Sequence, residues 1–156
     1  MKRAFSFALL GAFFVLAFSA SAQSGVGEFK WQHSLEAATK QAAEEHKPIL
    51  MVFAGADWCK PCIMLRREVW ETPAFRDYAK DHFVLLELDF PRFKKNQLPA
   101  DQTKYNEQLA GQYNREGVFP LVVLTDEKGQ VLGKTGYQPG GPEKYISHLE
   151  QLLQHN

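Results

Sequence analysis

The sequence predicts an α/β domain, a mixed central β-sheet flanked by helices on both faces. Three observations lead there. The runs 48–54 (Pro-Ile-Leu-Met-Val-Phe-Ala) and 83–88 (Phe-Val-Leu-Leu-Glu-Leu) are of strand length and almost wholly apolar, as strands covered on both sides are. Helical periodicity precedes, separates and follows them, giving the order helix, strand, helix, strand, helix, hairpin, helix. Strand–helix–strand units imply parallel neighbours, whereas the terminal hairpin adds antiparallel ones.

The amino terminus stands apart from this pattern. Met1-Lys2-Arg3 is a basic head, 4–18 is apolar except for Ser6 and Gly11, and Ala20-Ser21-Ala22 is a small-x-small cleavage pattern. Fifteen helical residues span about 22 Å, short of a hydrocarbon core of roughly 30 Å, and no stop-transfer charge cluster follows. The expectation is a signal peptide over 1–22 cleaved near Ala22, a flexible leader over 23–27, and one domain over 28–156. Of the 18 Lys and Arg residues, loss of Lys2 and Arg3 leaves 16 against 18 Asp and Glu, a formal charge of −2. That near-neutrality argues against nucleic acid or anionic membrane as the main partner. With 45% hydrophobic and 23% charged residues, the chain has enough apolar sequence for a core and is not a disordered one.

Within the domain, residues 28–31 suggest a short edge strand. Ser34 is an N-cap for a helix carrying Leu35, Ala38, Ala42 and Ala43 at helical spacing, and Lys47-Pro48 ends it. After the strand at 48–54, residues 63–70 have helical character. Thr72-Pro73 then starts a second helical piece with Phe75, Tyr78 and Ala79 on its apolar face. Residues 90–100, with Arg92, Lys94 and Lys95, form a long loop. Asp101 is read as the cap of a helix reaching about Asn114, with Tyr105, Leu109 and Tyr113 along one side. Phe119-Pro120 introduces a strand over 121–124, 126–129 is turn chemistry, and 130–134 is the return strand. Residues 142–155 close the chain as an amphipathic helix with Tyr145, Ile146, Leu149, Leu152 and Leu153 inward.

The only two cysteines, Cys59 and Cys62, follow the first buried strand directly, in Trp58-Cys59-Lys60-Pro61-Cys62. Residues three apart share a helical face, so the sulfurs reach bonding distance if Cys59 opens a helix. At that position unpaired backbone N–H groups and the helix dipole favour the Cys59 thiolate, and Lys60 adds positive charge nearby. Cys62, one turn in, is expected to be more shielded. Pro61 costs little, because first-turn N–H groups have no helical partner. The pattern suits thiol–disulfide exchange, with Cys59 attacking and Cys62 resolving. A static disulfide closing four residues would add only about 2 kcal/mol, which a domain with this much apolar sequence does not need. A structural zinc site wants paired ligands, and His33, His46, His82, His148 and His155 are scattered, so no metal is expected.

The chain resembles an exported member of the thioredoxin family over residues 29–153. The likeness rests on Lys47-Pro48-Ile49-Leu50 leading into Asp57-Trp58-Cys59-Lys60-Pro61-Cys62, on Val118-Phe119-Pro120, on the Gly129 hairpin and on the final helix. It is most similar to bacterial exported thioredoxin-like proteins. A more distant likeness is to the periplasmic thioredoxin-like domain of transmembrane thiol:disulfide interchange proteins. The resemblance implies a thioredoxin-like three-layer fold and a thiol–disulfide oxidoreductase of the cell envelope whose redox group is its own disulfide, with no cofactor. It implies that Cys59 is the nucleophile and Cys62 the resolving thiol. It also implies a cis bond before Pro120, with Phe119 facing the disulfide and offering its backbone to an extended substrate. Protein disulfides are the implied substrates, with electrons from a membrane donor and the chain acting as a monomer.

Two departures stand out. Phe53 occupies the strand position, six before the first cysteine, where thioredoxins often carry a buried acid, and the usual lysine partner is missing from the apolar 84–86. Asp57, Glu68 and Glu87 are the carboxylates left to replace it. The second departure is the bulky Phe119. Trp58 is either a platform beside the disulfide or a packing residue. A proline before Cys62 resembles the reducing members of the family more than the strongly oxidising ones, which implies reduction or isomerisation, although Lys60 pulls the other way by stabilising the thiolate. The alternative is a thioredoxin-fold binding or chaperone module with incidental cysteines and the 90–100 loop as its contact surface.

Overall fold

The computed structural model describes residues 29–154; the predicted signal peptide and leader lie outside them, as do residues 28, 155 and 156. In chain order the elements are β1 (Trp31–Gln32), α1 (Leu35–Glu45), β2 (Ile49–Ala54), α2 (Lys60–Leu65) running into a π-helical turn (Arg66–Trp70), α3 (Pro73–His82), β3 (Val84–Asp89), a 3-10 turn (Lys94–Asn96), α4 (Ala100–Tyr113), β4 (Leu121–Thr125), β5 (Val131–Thr135) and α5 (Gly141–Gln154). The five strands form one sheet in the order β1-β3-β2-β4-β5. β1 and β2 run parallel to β3, whereas β4 is antiparallel to both β2 and β5. The sheet is mixed, as the sequence predicts.

β2 lies at the centre, every residue buried. Its alternation sorts the core into two layers. Leu50, Val52 and Ala54 pack with Leu65, Val69, Trp70, Phe75, Tyr145 and Leu149, the side of α2, α3 and α5. Ile49, Met51 and Phe53 pack with Ala38, Ala42, Leu109 and Tyr113, the side of α1 and α4. Both cysteines belong to the first layer and Phe53 to the second. Trp70 is the hub of the first layer, its ring centroid 4.6 Å from Phe75, 5.2 Å from Tyr145 and 6.1 Å from Trp31.

Local signals place most ends. Ser34 Oγ accepts from Ala37 N and caps α1, and Thr72 Oγ1 accepts from Phe75 N and caps α3. Four expectations are corrected. The edge strand is Trp31–Gln32, because only these two residues find register partners, Leu85 and Leu86. The helix after the cysteines begins at Lys60 and ends in a π turn. Helix α4 begins at Ala100 with Pro99 at its N-cap and no side-chain cap; Asp101 sits inside the first turn, where its charge complements the helix dipole. The return strand lies one residue later than predicted, with an irregular register at Leu124 and Thr125.

What positions the cysteines is the turn between β2 and α2. Gly55 O accepts from Trp58 N at 3.3 Å and Cys59 N at 2.9 Å. A Cβ on Gly55 would lie 2.3 Å from the Trp58 indole, so only glycine fits under that ring. Asp89 Oδ1 accepts from Ala56 N at 2.8 Å, fastening the turn to the end of β3. Asp57 fastens the segment that follows β3. Its carboxylate accepts from Arg92 N and Phe93 N, both at 2.9 Å, and from Asn96 Nδ2 at 3.0 Å. Desolvation alone would raise the Asp57 pKa; the two backbone N–H groups and the Asn96 amide outweigh it and hold the carboxyl below its ordinary range.

Two outcomes follow for this turn. Gly55→Ala forces the indole aside and should destabilise the fold by about 1–3 kcal/mol, read as a lower denaturant midpoint with altered Trp fluorescence. Because the Asp57 pKa is depressed on folding, its clamp is complete above the ordinary aspartate range and is lost only as pH falls through the lower folded value. Amide exchange at Arg92 and Phe93 should therefore stay protected down to about pH 4 and accelerate at neutral pH in Asp57→Ala. Equal protection in that variant would dismiss the clamp.

Candidate functional site

Cys59 is the N-cap of α2: its backbone is extended, and its Sγ accepts from Cys62 N at 3.3 Å. The sulfur thus takes the place of a serine or aspartate oxygen at a helix start, where donors and dipole favour negative charge. Cys62 lies inside the first turn, and its Sγ accepts from Gly55 N at 3.5 Å. The two are joined as a disulfide, S–S 2.08 Å, with Cα atoms 5.2 Å apart. The predicted contrast in exposure is absent in this state, since each cysteine is 4% exposed. The residues between them make the surface: Lys60 and Pro61 are both exposed, with Pro61 in the first turn where no helical N–H is lost. The asymmetry between the sulfurs is one of bonding, a helix-capping sulfur against one held from behind by the β2 end.

Trp58 is half-buried and serves as both platform and packing residue. Its Nε1 donates to Phe90 O at 2.7 Å, and its ring meets Phe119 edge-on at 5.4 Å. The Arg92 guanidinium lies over the indole, 3.5 Å from the ring centroid, an attraction toward the ring's negative face. Phe90 completes the aromatic group, 5.3 Å from Phe119.

The Phe119–Pro120 peptide is cis. Phe119 packs at the edge of both core layers, including the one that holds the cysteines. Asn114 supports this segment: its side chain donates to Val118 O and accepts from Val118 N, both at 2.9 Å, as a strand partner would. Asn114 is buried, yet a lone Asn at a helix end gives no sign in the sequence of this bidentate role. Arg92 is equally hidden, because only the fold brings its loop over Trp58. A groove of about 720 Å³ opens beside these residues, walled by Trp58, Phe90, Arg92, Lys104 and Phe119.

The three carboxylates singled out in the sequence separate. Asp57 is engaged in the clamp, and Glu68 accepts from the Tyr137 hydroxyl at 2.7 Å. Glu87 pairs with Arg66. Phe53 points away from the cysteines and stacks on Phe90 at 6.3 Å.

The chain matches the thioredoxin-like family model over residues 30–126. It is 35% identical over 124 residues to the disulfide bond reductase DsbH of Chlamydia pneumoniae, covering 80% of this chain and 72% of that protein. A solved structure of a DsbH oxidoreductase superposes with a TM-score of 0.74 at 30% identity, covering 97% of this chain and 96% of the other. A thioredoxin from Thermus thermophilus shares the fold at 16% identity, with a TM-score of 0.57 over 80% of this chain and 87% of that one. With a capping cysteine disulfide-bonded one turn into its helix and a cis-proline segment beside the same aromatic group, the chain belongs to the thioredoxin-like family.

Proposed function

We propose that this protein is a thiol–disulfide oxidoreductase of the cell envelope that reduces or isomerises disulfides in other proteins. The observation that carries the reading is the Cys59–Cys62 disulfide at the N-terminus of α2, with Cys59 Sγ as the helix cap. In the reduced protein the Cys59 thiolate attacks one sulfur of a substrate disulfide. A new S–S bond forms, the substrate bond breaks, and its electron pair leaves on the second substrate sulfur, which takes up a proton. Cys62, deprotonated, then attacks Cys59 Sγ and releases the first substrate sulfur as a thiolate. The substrate has gained two electrons, and the protein is left as the disulfide. No bound cofactor is needed, since the disulfide is itself the redox group, and a membrane donor returns it to the dithiol.

The helix-end position of Cys59 and the charge of Lys60 support its role as nucleophile. The reducing direction is supported by Pro61 and by the likeness to a protein named a disulfide bond reductase. The leader of residues 1–22 supports export. The aromatic group of Trp58, Phe90 and Phe119, with the backbone beside Pro120, offers a bed for the substrate chain.

In an insulin-reduction assay the wild type should be active and Cys59→Ser should lose essentially all activity. Cys62→Ser should accumulate mixed disulfides with substrate proteins, recoverable under non-reducing conditions. Equal inactivity of wild type and Cys59→Ser, with client binding retained by both, would instead favour a binding module. Equilibration with glutathione should place the potential near the thioredoxin value of about −270 mV; a value near about −120 mV would overturn the reducing direction.

A further inference from the structure

Charge is unevenly spread around the disulfide. The segments 55–62 and 90–97 carry Lys60, Arg92, Lys94 and Lys95 against a single acid, Asp57. That acid is already satisfied, since Arg92 N, Phe93 N and Asn96 Nδ2 all donate to its carboxylate. Residues 117–119, before the cis-proline, add no charge. All four cations are exposed. None has an ion-pair partner among the described residues, where Lys47, Arg66 and Lys80 are the cations that do. The surface beside Cys59 is therefore positive in a chain whose Lys and Arg equal its Asp and Glu, 18 each.

Arg92 is the best placed of these cations. Its backbone N–H is held by Asp57 at 2.9 Å, and its guanidinium lies over the Trp58 indole, 3.5 Å from the ring centroid. That contact uses the charge of the group and none of its N–H donors, which find no acceptor among the described residues. A planar fork held over a ring with its donors free is suited to a carboxylate, through two parallel hydrogen bonds. Trp58 immediately precedes Cys59 and packs, like Phe119, against the core layer that holds both cysteines. A short extended peptide, at about 3.3 Å per residue, spans from Arg92 to the reacting sulfur. The groove of about 720 Å³ between Arg92 and α4 gives that peptide an apolar floor of Trp58, Phe90 and Phe119. Its acids do not cancel Arg92: Asp89 Oδ1 accepts from Ala56 N, and Glu107 stands one helical turn from Lys104 and offsets that lysine. A concave groove with a cation at its rim fits an extended polypeptide rather than the plane of a lipid surface.

We propose that Arg92 selects disulfide substrates whose cysteine is flanked by aspartate or glutamate. It binds the carboxylate beside the Trp58 platform, while Lys60, Lys94 and Lys95 steer acidic segments to the site. The inference rests on the oxidoreductase reading above and supplies its substrate class. Arg92 is a specificity residue: the bonds made and broken are those already described between Cys59, Cys62 and the substrate sulfurs.

The test is single-turnover reduction, by the pre-reduced protein, of self-quenched fluorescent peptide dimers joined by one disulfide. The dimers are identical except that Glu, Gln or Lys flanks each cysteine. At low ionic strength the wild type should reduce the Glu peptide at least about tenfold faster than the Lys peptide, and the ratio should shrink at about 0.5 M salt. In Arg92→Gln the ratio should fall at least about threefold, and in Arg92→Glu it should fall further. Asp57 is clamped by the backbone N–H of Arg92, so both substitutions leave that bond in place. Arg92→Lys, which keeps the charge without the fork, should hold only part of the preference. Lys40→Glu, the same change of net charge at an exposed position of α1, should retain the wild-type ratio. A wild-type ratio of one, or a full preference retained in both Arg92→Gln and Arg92→Glu, would overturn the inference alone. So would equal peptide rates together with binding of wild type, but not Arg92→Glu, to phosphatidylglycerol vesicles, which would assign the cations to a lipid surface. Reduction of none of the three peptides would overturn it together with the oxidoreductase reading.

Discussion

The structure depends on the complete burial of β2. A strand covered on both faces needs a sheet neighbour on each edge and a helical layer on each side, and β2 has all four. Such a strand cannot shift by one residue without turning its whole apolar set to the opposite layer. Its carboxyl end is therefore a fixed point. The turn that leaves it is further tied down by Gly55 O, by Asp89 and by the indole seated on a residue without a Cβ. The disulfide inherits its position from this scaffold rather than from its own loop.

From that fixed point the site is assembled by short-range contacts between elements distant in sequence. The end of β3 supplies Asp89, and the segment after it supplies Arg92 and the Phe90 carbonyl, all gathered around residues 56–58. The segment before β4 supplies Phe119 and Pro120, supported by a buried asparagine at the end of α4. Asp57 is the link between the first two groups, since one half-buried carboxylate satisfies three donors of the loop. The long loop over 90–100 is thereby drawn against the redox centre. Arg92 then covers part of the aromatic platform and lines the adjoining groove.

The two faces of the sheet divide the labour. The face packed by α1 and α4 is apolar around Phe53, which makes it a packing layer. The opposite face carries the cysteines and, toward the open edge of β3, the Arg66–Glu87 pair. Burial and an adjacent cation act on Glu87 in opposing directions, leaving its carboxyl higher than an exposed one.

The fold class, the element order and the cysteine pair were legible in the residues themselves, for a local reason. Strand burial writes itself as continuous apolar runs, helix starts as Ser34 and Thr72, and redox spacing as two cysteines one turn apart. The family likeness added the cis bond before Pro120. Errors fell at element ends, as at Asp101 and the return strand, where packing and register override local preference. The partners were not legible. That Asp57 would bind a loop over 30 residues away, that Asn114 would act as a strand partner, and that Arg66 would meet Glu87 depend on chain crossings that no local pattern records. Even the exposure of Cys59 was decided in three dimensions, because the same turn that presents its sulfur to the helix dipole also buries it beneath its neighbours. The sequence determined what chemistry the chain carries; the tertiary structure decided which side chains surround it, since side chains meet across elements and not along them.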